Sequence, residues 1–421
     1  MPHFSLNGFG RLLLSFGVNV LLIVILPVLM LWVSGAWTLW GPSIINDGYG
    51  VSLAVNCLAL VLCSIAMNRF ERFPQKNAVA YVFPTVFCVY SLAIAILWLL
   101  RMNYSVKLTL FGVMLMPLLL SIQHLILNRQ RARTFFYIPL GGSLQLANSF
   151  HFQFKPLESP KLPKLFYEGV VADMCCDTMT PEWERFLARC ALQRVPVYNL
   201  RQLNERMTGR VDVTHLAEND FGSLAPSIVQ QSIKRLIETT FVLLVAPLVV
   251  PLVIGIALWV RLDSPGNAFF IQKRMGLGGK IFKMVKFRTM VVDHGGHHFT
   301  QAGESDRITR VGQILRKYRL DELPQFWNVL TGDMSLIGPR PESAKLADWY
   351  EQDVPFFAYR HVVRPGISGW AQVMQGYAAE VDGMKEKLSY DFYYIKHFSL
   401  WLDLLIWYKT IRTVFTGFGS R

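Results

Sequence analysis

The chain has 421 residues, 52% hydrophobic and 13% aromatic, and carries 42 Lys and Arg against 29 Asp and Glu for a net charge of +13. That length accommodates two or three units at about 150 residues each, and the apolar content points away from a purely soluble protein and toward membrane contact. The positive balance suits an anionic partner, a phospholipid surface or a phosphorylated substrate; nucleic acid is set aside, because no reader motif occurs and the basic residues flank apolar segments.

Four apolar runs come first, at about Leu12–Val33, Val51–Met67, Val79–Leu100 and Leu108–Leu127. Each is near the ~20 residues that a helix needs to cross a ~30 Å hydrocarbon core. The first is too long for a cleavable signal peptide and lacks a small-residue cleavage pattern after it. Arg69, Arg72 and Lys76 follow the second run, and Arg129, Arg131 and Arg133 follow the fourth. The segment after the first run has no Lys or Arg, so the positive-inside rule puts both ends of this block in the cytoplasm. Three of the six cysteines lie in apolar runs and none forms a CxxC, which points to neither a disulfide framework nor a zinc site.

Residues 134–225 change character. "TFFYIPLGG", "LFYEGVVADM" and "VPVYNL" read as strands and "TPEWERFLARCALQR" as an amphipathic helix, which predicts a small α/β module. Gly141 and Gly142 follow the first strand without a GxGxxG, so a spacer or dimerisation role is expected rather than nucleotide binding. A fifth apolar run, Phe241–Val260, has Lys234 and Arg235 before it and Arg261, Lys273 and Arg274 after it. Both flanks therefore look cytoplasmic. With Pro247 and Pro251 inside, the run reads as a re-entrant helix that breaks and returns, or as a plain crossing.

"AFFIQKRMGLGGKIFKMVKFRTM" is expected to form a hairpin around Gly276, Gly278 and Gly279, with Lys283, Lys286 and Arg288 as a row of cations on its second arm. Its GLGGK lacks P-loop spacing. In "DHGGHH", Asp293, His294, His297 and His298 form either a metal site or a solvated loop.

The chemistry concentrates in "LRKYRLDELPQFWNVLTGDMSLIGPRP", residues 315–341, read as short helices bent before Pro324. It places Asp321 and Glu322 side by side among Arg316, Lys317, Arg319 and Arg340. Nearby arginines are expected to lower both carboxyl pKa values. An ionised Asp can attack phosphorus, an adjacent Glu can hold Mg²⁺, and arginine forks match phosphate oxygens. The alternative from the same residues is a surface ion-pair cluster.

Together "KRLIETT", "LDSPGNAFFIQKRMGLGGKIFKMVKFRTM", "DRITRVGQILRKYRLDELPQFWNVLTGDMSLIGPRPE", "RPGISGWAQV" and "YDFYYIKHFSLWLDLLIWYKTI" closely resemble the bacterial sugar transferases. These are monotopic polyprenyl-phosphate hexose-1-phosphate transferases that start O-antigen, capsule and exopolysaccharide repeats. The likeness spans roughly Ser232–Phe415, and the four-helix block plus α/β module resembles the longer members of the family. It implies transfer of a hexose-1-phosphate from a UDP-sugar to undecaprenyl phosphate, with release of UMP and a phosphosugar held covalently on an aspartate. By the same resemblance Asp321 is the nucleophile and shares Mg²⁺ with Glu322, while Arg316 and Arg340 bind phosphate; Lys286, Arg288 and Arg364 fall at basic motif positions.

The architecture so implied is a transmembrane helical block (1–128), a degenerate Rossmann-like α/β module (129–225) and a mainly α catalytic domain (226–421). That domain carries a re-entrant helix at about 239–260 and C-terminal interfacial helices. The family's re-entrant break is usually Ser-Pro, whereas this chain has Ala246-Pro247, so Pro247 supplies the kink without a serine hydroxyl. The aromatic and basic C-terminal stretch is expected to lie in the membrane plane. The expected setting is the bacterial inner membrane with the catalytic domain on its cytoplasmic face and a homodimer as a further expectation. The competing class is a non-catalytic scaffold for polysaccharide assembly.

Overall fold

A computed structural model describes residues 17–23, 48–70, 73, 81–129, 134–143, 153–162, 167, 169–174, 176, 178–212, 225–291, 307–375 and 381–416. The chain divides into two compact units, Met1–Thr208 and Gly209–Arg421. "DHGGHH" lies outside the described residues, as does most of the first apolar run, of which 17–23 is helical.

In the first unit the apolar runs form α1 (Tyr49–Phe70), α2 (Val82–Leu99) and α3 (Val106–Arg129). All three are long and apolar enough to cross a membrane. Polar pairs pin them at a few depths: Tyr90 donates to Asn56 Oδ1 at 2.9 Å, and Asn56 Nδ2 donates to the Leu108 carbonyl at 3.2 Å. Gly112 permits this approach, since a Cβ there would meet Asn56 Oδ1 at 2.3 Å. Such bonds matter between helices in lipid, where apolar contact alone does not favour association.

The α/β module follows, with β1 (Thr134–Tyr137), β2 (Gln153–Pro156), β3 (Gly169–Ala172), α4 (Pro181–Leu192), β4 (Val197–Asn199) and α5 (Leu200–Thr208). All strand pairs are parallel, in the order β2-β1-β3-β4. Phe136, Ile138, Val170 and Ala172 on one face meet Phe186 and Cys190 of α4, and Phe135, Tyr137 and Val171 on the other meet Leu203 of α5. Burial on both faces explains why these strands read as continuous apolar runs. After β1, the Gly142 N–H donates to Asp173 Oδ2 at 3.0 Å.

In the second unit the fifth run belongs to one long helix, α6 (Ile228–Asp263). It is longer at both ends than the expected 239–260, and it continues through Pro247 and Pro251 where a break at Pro247 was expected. Each proline removes one donor from the ladder, but the turns on either side keep theirs. Ser227 caps the start by accepting from Gln230 N at 3.2 Å. Only 11% of its most apolar window is buried.

The hairpin forms as expected: β5 (Phe269–Met275) and β6 (Ile281–Phe287) pair antiparallel in the register Phe270↔Lys286 and Lys273↔Lys283. Gly278 and Gly279, at φ 63° and 72°, make the turn. Then come α7 (Arg310–Lys317), a 3₁₀ turn at Leu320–Glu322, α8 (Gln325–Thr331), β7 (Ser335–Ile337) and α9 (Ala344–Asp353). A second 3₁₀ turn at Phe357–Val362 leads to β8 (Gly366–Ser368), α10 (Trp370–Met374), α11 (Val381–Lys396) and α12 (Leu400–Thr416). Strands β7 and β8 pair in parallel. They approach so closely that a Cβ on Gly366 would meet Gly338 N at 2.0 Å.

The C-terminal aromatics correct one expectation. Tyr390, Phe392, Tyr393 and Tyr394 are buried in the unit's own core rather than arrayed for lipid. Trp370 stacks on Tyr393 with ring centroids 5.7 Å apart. Leu400, Leu404 and Trp407 of α12 remain exposed.

Candidate active site

Local chain chemistry sets the position of the acid pair. Thr309 Oγ1 caps α7 by accepting from Gly312 N at 3.0 Å. Val311 and Leu315 seat α7 against Ile256 and Val260 of α6 and Phe287 of β6. Gly312 allows contact with the hairpin's exit, because a Cβ there would meet the Thr289 carbonyl oxygen at 2.2 Å. Arg319 then adopts a left-handed φ of 54°, which is uncommon for a side-chain-bearing residue. That reversal starts the 3₁₀ turn carrying Asp321 and Glu322. Pro324, at the N-cap position, opens α8, whose Asn328 fastens it to the hairpin: its Oδ1 accepts from Val285 N at 3.0 Å and its Nδ2 donates to the Lys283 carbonyl at 2.8 Å.

The two carboxylates differ in surroundings. Glu322 is buried and accepts from Arg340 Nη2 at 2.7 Å. Burial works against its charge, but Arg340 and Lys286 prevail and hold it well below the usual carboxylate range. Asp321 is half-buried. Burial and then the Glu322 charge push it upward, opposed by Lys286, Arg340 and Arg316. The expectation that arginines would lower both carboxyls therefore holds for Glu322 and fails for Asp321, where desolvation and a like charge prevail. Lys286 is pushed down to about 8 by burial and by Arg340. Arg316 donates through Nε to Thr289 Oγ1 at 2.9 Å and lies within electrostatic reach of Asp321.

Lys286, Arg316, Asp321, Glu322 and Arg340 thus come together. Lys283 and Arg288 do not join them. Strand alternation turns Lys283 to the opposite face from Lys286, and Arg288 lies past the strand end. Its guanidinium donates to the Ser264 carbonyl at 2.7 Å, Ser264 Oγ at 2.9 Å and the Pro265 carbonyl at 2.8 Å, closing the end of α6. Arg364 donates to the Gly332 carbonyl at 3.2 Å, beyond α8.

The residues that hold Arg340 escaped the sequence reading. Arg360 Nη2 donates to the Arg340 carbonyl at 2.8 Å and pairs with Asp391 at 2.9 Å. Arg274 donates to the Pro341 carbonyl at 3.0 Å, and Glu342 is held by Lys387 and Arg360. Upstream, Glu238 of α6 accepts from Ser335 Oγ at 2.6 Å and Leu336 N at 3.1 Å, while Lys234 donates to the Ile337 carbonyl at 2.7 Å and to Asp403 at 2.8 Å. Alternation along β5 could have flagged Arg274; the other pairings span from about twenty to well over a hundred residues and carry no periodic signal. Among the described residues no three His, Cys, Asp or Glu side chains cluster as a metal site.

A half-buried carboxylate within electrostatic reach of three cations thus stands on a body that bears a long, exposed apolar helix. The chain belongs to the bacterial sugar transferase family, whose pattern matches residues 229–417. It is 43% identical over 408 residues to the UDP-N-acetylgalactosamine-undecaprenyl-phosphate N-acetylgalactosaminephosphotransferase of Aeromonas hydrophila, covering 96% of this chain and 95% of that one. Two UDP-glucose:undecaprenyl-phosphate glucose-1-phosphate transferases are each 36% identical. That of Caulobacter vibrioides aligns over 61% of this chain and 96% of its own length, and that of Escherichia coli K12 over 63% and 57%.

Proposed function

We propose that the chain transfers a sugar phosphate from a UDP-sugar to undecaprenyl phosphate and releases UMP. The observation that carries this reading is the asymmetry of the acid pair: Glu322 is buried and held by Arg340, whereas Asp321 is the more accessible carboxylate and faces three cations. An Asp321 oxygen bonds to the β-phosphorus of the donor as the bond from that phosphorus to the bridging oxygen breaks. UMP leaves with the bridging oxygen. An oxygen of undecaprenyl phosphate then attacks the same phosphorus, and the carboxylate of Asp321 is regenerated. Lys286, Arg316 and Arg340 stabilise the charge on the phosphoryl oxygens in both steps.

Mg²⁺ favours oxygen from one or two carboxylates plus substrate phosphates, and Asp321 with Glu322 supplies that donor set. The like charge that lifts Asp321 is also what a dication relieves. When bound there, the ion would neutralise the diphosphate of the donor.

Both ends of α6 rest on one body. Glu238 and Val242 contact β7 and the core beside it, while Ile256 and Val260 pack on β6 and α7. A full crossing would separate these ends across the bilayer, so α6 is read as bending at Pro247 and Pro251 within one helical run and returning to the leaflet it entered, with the catalytic domain cytoplasmic at the bacterial inner membrane. The α/β module is a Rossmann-like unit of parallel β2-β1-β3-β4 order with a spacer or dimerisation role.

N-acetylgalactosamine is the first donor to test, because the relative matched along nearly the whole chain bears that name; glucose is the second reading, from relatives matched over part of it. Asp321→Asn should abolish UMP release from UDP-sugars and remove the label that a β-³²P donor leaves on the protein. Equal UMP release by both proteins would overturn the assignment.

A further inference from the structure

A cavity of about 390 Å³ lies beside the first three turns of α6, lined by Gln231, Ser232, Arg235, Thr239 and Arg364. Ile228 and Leu236 complete its wall, and both are strongly exposed, as are Val229, Ile233 and Ile237 next to them. This is the polar segment immediately before α6 becomes uninterruptedly apolar at Phe241.

Two guanidiniums converge there. Arg235 donates to the Val329 and Leu330 carbonyls at the end of α8, and Arg364 donates to the Gly332 carbonyl. Gly332, at φ 94°, ends α8 in a left-handed conformation and brings Arg235 Nη2 to within 3.2 Å of where a Cβ would stand. Among the described residues no carboxylate lines the cavity. The acids within electrostatic reach of Arg235 are Glu238 and Asp333. Glu238 already accepts from Ser335 and the β7 backbone, and Asp333 accepts from Thr331 at 2.8 Å. The Thr239 hydroxyl, on the same wall, is a buried polar atom with no partner among the described residues. Paired like charges, a spare hydroxyl and an apolar rim are complementary to a phosphate ester attached to a hydrocarbon tail.

We infer that this cavity holds the phosphate of a membrane lipid, with Arg235 and Arg364 as its ligands and the tail running along Ile228 and Leu236. The inference rests on the membrane-bound reading of α6, and its site is separate from the Asp321 constellation.

The test uses the full-length chain with Asp321→Asn, which removes turnover, in phosphatidylcholine vesicles doped with diazirine-bearing lipid. One arm carries a long-chain prenyl monophosphate and the other phosphatidylglycerol; inorganic phosphate serves as competitor. Cross-links should map to 228–239 and fall about tenfold or more in Arg235→Gln and Arg364→Gln, the effect of losing a charge-assisted bond. Ser232→Phe fills the cavity while keeping both arginines and their carbonyl partners, so it should also abolish labelling without a change in melting temperature. Labelling by the prenyl lipid alone, or by both lipids, supports the site and identifies its source. Labelling unchanged in the variants, or displaced by equimolar inorganic phosphate, overturns it. Loss of this site with UMP release intact in the Asp321 protein leaves the catalytic reading standing, and the reverse result leaves the lipid site standing.

Discussion

Replacing Glu342 by Gln probes the buried network behind Arg340. Burial opposes the Glu342 charge, but Lys387 and Arg360 outweigh it and bring the group from the ordinary 4.5 down to about 2. A depressed carboxylate contributes stability that is fully present above its unfolded pKa and is lost as pH falls through its folded one. A shift of this size corresponds to about 3 kcal/mol at neutral pH, in line with the cost of breaking a buried ion pair on one side. Converted to melting temperature for a body of this length, that is a drop of about 6–12 °C. The assay is thermal unfolding of purified wild type and Glu342→Gln from pH 7 to pH 2, followed by tryptophan fluorescence. The gap should be full at pH 7, narrow between about 4.5 and 2, and close at the acid end. Asp391, which burial pushes upward, is present in both proteins. A gap below about 1 kcal/mol at pH 7, or one that stays constant down to pH 2, would refute the assignment of Glu342 as an ionised keystone.

Three further outcomes follow from the geometry. Glu322→Gln removes the like charge that lifts Asp321, so the acid limb of the pH profile of protein labelling should move to lower pH; a limb that stays in place counts against the coupling. Asn328→Ala deletes the two bonds that fix α8 to β6, and should cost about 1–3 kcal/mol and lower kcat more than it raises KM, read by melting and steady-state kinetics. Arg288→Met should lower the melting temperature by releasing Ser264 and Pro265, whereas a phosphate-binding role would show first as a raised donor KM.

Periodicity and turn chemistry made the hairpin, the short helices around Asp321 and three of the module's four strands legible, because each depends on neighbours within a few residues. Strand β2, short and exposed, gave no such signal, and the parallel pairing is set by contacts far apart in the chain. Alternation along β6 was legible too, although reading Lys283, Lys286 and Arg288 as one row overlooked it. The prolines of α6 lie inside one run of helix rather than at its end, since flanking turns carry the helix past two missing donors. What sequence could not disclose were contacts such as Glu238 to Ser335 or Arg360 to Asp391, set by tertiary approach alone. The same holds for the fate of the aromatics in α11: a run rich in Tyr and Phe fits either a core or a bilayer surface, and only packing against Trp370 decides.

Lys286 has a use beyond balancing charge. An amine brought to about 8 is roughly one-tenth unprotonated at neutral pH, a far larger reactive fraction than an ordinary lysine offers. The expected outcome is that a small aryl ester acylates Lys286, with release of the phenol, ahead of the lysines exposed elsewhere, read by peptide mass spectrometry; uniform labelling would count against it.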